Sequence, residues 1–199
     1  MSGNRAEVVA RDRIRSENIF LVGLMGAGKT SVGRLLARRL GKDFCDCDQE
    51  IERATGVTIP LIFEIEGETG FRAREARVLA QLAIRRNIVL ATGGGAVLSA
   101  ENRRLLADNG VIVYLRASAS DLWGRTHHDK NRPLLKTADP LARLELLFAE
   151  RDPLYRSIAD IIVDSGSQSV GSLARRVEQQ LRERQAAGRS GEGSPVRAG

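Results

Sequence analysis

Apolar runs of four or five residues alternate along this chain with longer stretches in which apolar positions recur every three or four residues. Asn18-Ile19-Phe20-Leu21-Val22 is one such run and stops at Gly23, as a strand buried on both faces does. From Gly28 the spacing turns helical, with Val32, Leu35, Leu36 and Leu40 on one side and Gly41 as the stop. Phe44 to Cys47 predicts a second strand, Asp48 to Ala54 a helix ending at Gly56, and Thr58 the cap of a short helix through Ile65. Pro60 is tolerated in the first turn of that helix. A longer helix is expected from about Thr69 to Arg86, then a buried strand Ile88 to Ala91 that ends before Gly93-Gly94-Gly95. Ser99 caps a helix closing at Gly110, Val111 to Leu115 forms a fourth strand, and Ser118 begins another helix. His127 to Thr137 is polar, basic and aperiodic, hence a loop. Asp139-Pro140 starts a helix that runs to about Tyr155. Ile161 to Val163 is the fifth strand, and an amphipathic helix from about Ser169 to Arg184 is the last element. Such alternation implies an α/β fold: a five-stranded parallel sheet flanked by helices on both faces.

The 199 residues, 42% of them hydrophobic, suffice for one well-buried core, assigned to residues 18–184. Residues 1–17 mix charges without an apolar run and read as a flexible extension, with Glu7, Asp12 and Glu17 arguing against a mitochondrial leader. Residues 185–199, rich in Gly, Ser and Arg, read as a disordered tail. No stretch approaches the apolar length of a membrane span, so the expectation is a soluble, cytoplasmic protein. The formal charge of +6 favours an anionic partner, but aromatics at 4% leave little for stacking bases, and no nucleic-acid role is expected. Cys45 and Cys47, two apart on a predicted strand, point to opposite faces and are read as reduced thiols.

Gly23-Leu24-Met25-Gly26-Ala27-Gly28-Lys29-Thr30 matches G-x-x-x-x-G-K-[ST], directly after a predicted strand and opening a predicted helix. Glycines let the backbone turn sharply and aim its N–H groups at phosphate oxygens, and the helix N-terminus adds partial positive charge. Lys29 is expected on the β- and γ-phosphates and the Thr30 hydroxyl on Mg²⁺. Asp46 and Asp48 end a strand, where open α/β sheets build ligand clefts; they suit either phosphoryl-transfer roles or the capping of the next helix. Arg72, beside Phe71, has the planar fork that suits a carboxylate, with Arg74 and Arg77 as natural controls on the same helix. Arg132, in the basic loop, is a candidate lid residue able to neutralise charge on a transferring phosphoryl group.

These motifs, together with Asp46-Cys47-Asp48, Phe71-Arg72, the triple glycine, Arg132-Pro133-Leu134-Leu135 and Arg151 before Pro153-Leu154-Tyr155, resemble those of the shikimate kinases from about Asn18 to Leu181. The resemblance implies ATP and shikimate as substrates, one Mg²⁺ ion and a monomer. It implies ATP contacts from Gly26, Ala27, Gly28, Lys29, Thr30, Ser31 and Arg132, with Arg125 and Gln168 near the adenine. It places the acceptor on Asp48, Arg72, Gly94 and Arg151, with Lys29, Asp48 and Arg132 catalytic and Asp46 assisting the metal through water. The lid falls at about 127–137. Gly70 and Pro60 depart from the family's usual pattern near the substrate-covering helices. His127 and His128 read as polar loop residues, and Trp123 as packing.

Three rivals stand beside this reading. A gluconate or nucleoside monophosphate kinase would share the phosphate loop but not the triple glycine with the Arg-Pro-Leu-Leu lid. A nucleic-acid ATPase would need an acidic residue ending the third strand, where Gly93 follows Thr92 instead. A catalytically silent relative is opposed by the intact Lys29, Thr30, Asp48 and Arg132.

Overall fold

The computed structural model describes residues 17–128, 133–135, 137–166 and 168–191. Its elements run β1 (Asn18–Val22), α1 (Lys29–Leu40), β2 (Asp43–Asp46), α2 (Cys47–Thr55), α3 (Ile59–Ala83), β3 (Ile88–Ala91), α4 (Ala100–Asn109) and β4 (Gly110–Arg116). They continue with α5 (Ala119–Thr126), α6 (Pro140–Ile158), β5 (Ile161–Asp164) and α7 (Val170–Gly191), with short 3₁₀ turns at Ala96–Leu98 and Pro133–Leu135. The sheet is parallel throughout, in the order β2-β3-β1-β4-β5.

β1 and β3 are buried at every residue because each is covered on both faces, which is why their sequences run apolar without alternation. Right-handed crossovers send α1 from β1 towards β2, and α4 from β3 the opposite way towards β4, so these helices cover opposite faces. The loops that leave the carboxyl ends of the neighbouring strands β1 and β3 therefore part, and a crevice opens between them. At the other end of β1, the buried Asn18 amide donates to the carbonyls of Ala83, Arg85 and Asn109 and accepts from the Ile88 N–H, tying three elements to the strand.

Several local expectations need correction. β2 stops at Asp46, and Cys47 opens α2 instead of ending the strand, because the Asp46 carboxylate caps the helix there. Both thiols are free and buried, and burial pushes the Cys47 thiol well up. The two helices expected between Thr58 and Arg86 form one element, α3, kinked at Gly67, whose φ of 67° is accessible to glycine at little cost. Thr58 holds the cap position, but the first N–H of α3, from Ile59, bonds the Glu52 carboxylate at 2.9 Å. Asp139 does cap α6, accepting from Ala142 N–H at 3.0 Å, and that helix continues to Ile158.

The last helix does not stop near Arg184 but continues to Gly191, into the stretch read as a disordered tail. Arg182 pairs with Glu178, Gln179 with Glu183 and Arg184 with Asp160, and the good helix formers Gln185, Ala186 and Ala187 follow. Residues 1–16 of the extension, residues 129–132 and 136 of the lid and residues 192–199 of the tail lie outside the described residues.

Candidate active site

The glycine-rich loop after β1 carries φ values of +79° at Gly26 and +93° at Gly28, a conformation in which a side chain would be strained. Lys29, only 9% exposed, folds over the loop and donates from Nζ to the carbonyls of Gly23 (2.7 Å) and Leu24 (2.9 Å). Gly26, Ala27, Gly28, Lys29, Thr30 and Ser31 line one wall of a cavity of about 490 Å³. Arg125 and Gln168 line it further along. The Arg125 guanidinium donates to the Gly26 carbonyl (3.1 Å) and to the carbonyls of Ser165 and Gly166, so it fastens the phosphate loop to the segment after β5. Gln168 donates to the Asp164 carbonyl at 3.1 Å.

Asp46 uses its two carboxylate oxygens separately. Its Oδ1 accepts from the N–H groups of Asp48 (3.1 Å) and Gln49 (3.3 Å), capping α2, while Oδ2 accepts from Thr30 Oγ1 at 2.8 Å. A hydroxyl and a carboxylate oxygen, both hard donors, thus meet at the foot of the phosphate loop, the donor chemistry that Mg²⁺ takes. Among the described residues no cluster of three or more His, Cys, Asp or Glu side chains forms a metal cage.

A second, smaller recess of about 70 Å³ adjoins the first, lined by Asp48, Arg72, Glu75, Leu134, Arg151 and the three glycines Gly93–Gly95. Met25 and Asp48 line both spaces, so the carboxylate of Asp48 stands where they join. A Cβ on Gly95 would overlap the Arg72 guanidinium, and one on Gly93 would overlap Glu75; the glycines are what let these side chains lie against the backbone. Arg72 gives Nη1 to Glu75 Oε2 (2.7 Å) and both Nη2 (2.8 Å) and Nε (3.2 Å) to Glu68 Oε1. Burial pushes the Glu75 carboxyl up while the Arg72 charge pulls it down, and the outcome is a raised value. Glu75 Oε1 and Arg151 Nε are buried without a hydrogen-bond partner among the described residues. Buried polar atoms left in this state mark a recess suited to a polar ligand.

Lys29, Thr30, Asp46, Asp48, Arg72, Gly94, Arg125, Arg151 and Gln168 therefore all line one of two adjoining spaces. Arg132 lies outside the described residues. Trp123 packs against the core and tilts over His127, whose ring lies 3.7 Å from that of His128. Arg74 is not merely solvated: its Nε and Nη2 grip both oxygens of Glu66 (2.8 and 2.6 Å) across the Gly67 kink. A Cβ on Gly70 would overlap the Glu66 side chain, so the small residue leaves room for that pair. Pro60 sits in the first turn of α3, where it removes no helical bond.

Sequence reasoning missed Glu75. Phe71, Glu75 and Leu79 recur every four residues and are all buried, so an acid on the apolar stripe of α3 was the available signal.

The family model described as shikimate kinase matches residues 25–182. A shikimate kinase of Nitrosospira multiformis is 62% identical over 172 residues, covering 86% of this chain and 88% of that protein. One of Chromobacterium violaceum is 65% identical over 164 residues, covering 82% and 89%. The solved structure of the Acinetobacter baumannii shikimate kinase in complex with shikimate superposes with a TM-score of 0.85 at 47% identity, covering 87% of this chain and 98% of that one. Since the family model covers residues 25–182 and relatives 62% and 65% identical cover more than four-fifths of this chain, the chain belongs to the shikimate kinase family.

Proposed function

We propose that the protein transfers the γ-phosphoryl group of MgATP to the 3-hydroxyl of shikimate, releasing ADP and 3-phosphoshikimate. The observation that carries this reading is the junction of the two spaces at Asp48: a nucleotide-sized cavity under a phosphate loop opens onto a small recess holding two arginines. The phosphate loop takes the triphosphate on its N–H groups, and Lys29 leaves the loop carbonyls for the β- and γ-oxygens. Thr30 and, through water, Asp46 would hold one Mg²⁺, which would supply charge neutralisation to the phosphate groups. Arg125 and Gln168 flank the adenine.

In the recess, Arg72 and Arg151 draw in the single carboxylate of shikimate, and Gly94 lies along its ring. Asp48 orients the acceptor hydroxyl towards the γ-phosphorus and accepts its proton as the new P–O bond forms. Arg132 is assigned to the lid from the sequence alone, to neutralise the transferring group. The kinase unit begins at residue 18 and takes in α7 to Gly191, and the enzyme works as a cytoplasmic monomer on two small molecules, with no nucleic-acid or membrane partner. No helix among the described residues is long and apolar enough to cross a membrane. The test is product identity. Mass spectrometry and ³¹P NMR of the reaction mixture should find one phosphate on the ring 3-hydroxyl; ATP hydrolysis without a phosphorylated ring would overturn the proposal.

A further inference from the structure

Tyr155 is completely buried on α6, next to the site yet lining neither space. Its ring stacks on Tyr114 of β4, with centroids 4.8 Å apart and planes at 29°. The two hydroxyls then diverge. Tyr114 donates to Asp152 Oδ1 at 2.8 Å, whereas Tyr155 donates to the Gly94 carbonyl. Arg151, one helical turn earlier, gives Nη1 to the same carbonyl at 3.3 Å. On its other side Gly94 rests on the phosphate loop, where a Cβ would come within 3.3 Å of the Met25 nitrogen and 3.6 Å of the Gly23 carbonyl oxygen.

A run of three glycines has the least intrinsic conformational preference of any tripeptide, so something outside the run must hold its peptide planes. We propose that Tyr155 is a positioning residue of the acceptor loop: its hydroxyl holds the Gly94 carbonyl towards α6 and thereby fixes the Gly94–Gly95 peptide against which the acceptor binds. Because that peptide is planar and trans, holding the carbonyl towards the helix turns the Gly95 N–H the opposite way. The clamp also leaves Arg151 placed beside the recess, since both groups share one acceptor atom. Burial pushes the Tyr155 hydroxyl far up, so it stays a donor throughout the neutral range. The stack on Tyr114 holds the ring from one face, so the direction of the hydroxyl is set by packing in the core.

The inference rests on shikimate as the acceptor, so wild-type turnover with shikimate is measured first. Tyr155→Phe, which removes one oxygen and keeps the stack, should raise KM for shikimate about 5- to 15-fold, as expected for one buried hydrogen bond. KM for ATP should stay within twofold, and kcat should change less than KM for shikimate. Tyr114→Phe removes the other hydroxyl of the same stack and should leave KM for shikimate within twofold. A second readout does not need turnover: in ligand-free ¹⁵N–¹H spectra, the amides of Gly93 to Gly95 should broaden or shift in Tyr155→Phe and not in Tyr114→Phe. If wild-type protein ignores shikimate, the proposed function falls while the spectra still judge the clamp. Unchanged glycine amides, or Michaelis constants for both substrates that rise together, would overturn the positioning role.

Discussion

Arg72→Lys isolates the geometry of the acceptor site from its charge. The arginine spreads its donors over two carboxylates, Nη1 to Glu75 and the Nε/Nη2 pair to Glu68, and its side chain is 22% exposed. A lysine can still meet Glu75 with a point charge but cannot present two parallel donors to a planar carboxylate. The substrate then loses at least one charge-assisted hydrogen bond, about 1.5–3 kcal/mol. Since about 1.4 kcal/mol is a factor of ten, KM for shikimate should rise about 10- to 150-fold. Arg72 does not line the nucleotide cavity, so KM for ATP should move less than twofold. Arg74 is a poor control because it is held to Glu66 across the kink; the exposed Arg77 of the same helix serves better. Both constants are read from a coupled ADP-release assay on Arg72→Lys and Arg77→Lys. If the two variants behave alike, the carboxylate is held elsewhere and the assignment of this recess fails.

Glu68 occupies the arginine fork that the substrate carboxylate would take, and it is 44% exposed, so Glu68→Gln should lower KM for shikimate by up to about fivefold. A raised KM in that variant would mean that Glu68 supports binding instead of competing with it. Asp48→Asn should cut kcat by about 10²- to 10⁴-fold with a smaller effect on either KM, measured by single-turnover kinetics; a kcat within threefold of wild type would remove Asp48 from the chemistry. Lys29→Met should abolish measurable turnover while circular dichroism and Tm report an intact fold, and residual activity above a few per cent would deny it a phosphate role.

How much could be read in advance depended on how far apart the cooperating residues lie in sequence. The phosphate loop is contiguous, and its glycines, lysine and threonine act through local backbone geometry, so pattern and context sufficed. β1 and β3 were equally plain, because a short run covered on both faces is almost wholly apolar. Asp46 shows where pattern reading divides: capping and a phosphoryl-transfer role stood as alternatives, but a carboxylate has two oxygens, and here one caps α2 while the other accepts from Thr30. The Tyr155–Gly94 bond was out of reach because it depends on how α6 packs on the glycine loop, whereas Arg72 and Glu75, three apart on one helix, were close enough in sequence to be read together. The end of α7 was misjudged for a related reason. Composition marked the tail as loose, while side-chain pairs along the helix and the Arg184 contact to Asp160 carry the helix into it as far as Gly191.

Two adjoining spaces that meet at Asp48 suit this chain to phosphorylate one small carboxylated acceptor. The most direct test of that assignment is a coupled ADP-release assay of purified protein with MgATP against a panel of shikimate, quinate, gluconate and nucleoside monophosphates. Rapid, saturable ADP release is expected with shikimate, and little above background with gluconate or any nucleotide. Turnover of gluconate or a nucleotide with no response to shikimate would contradict it, leaving only the phosphate-loop fold standing.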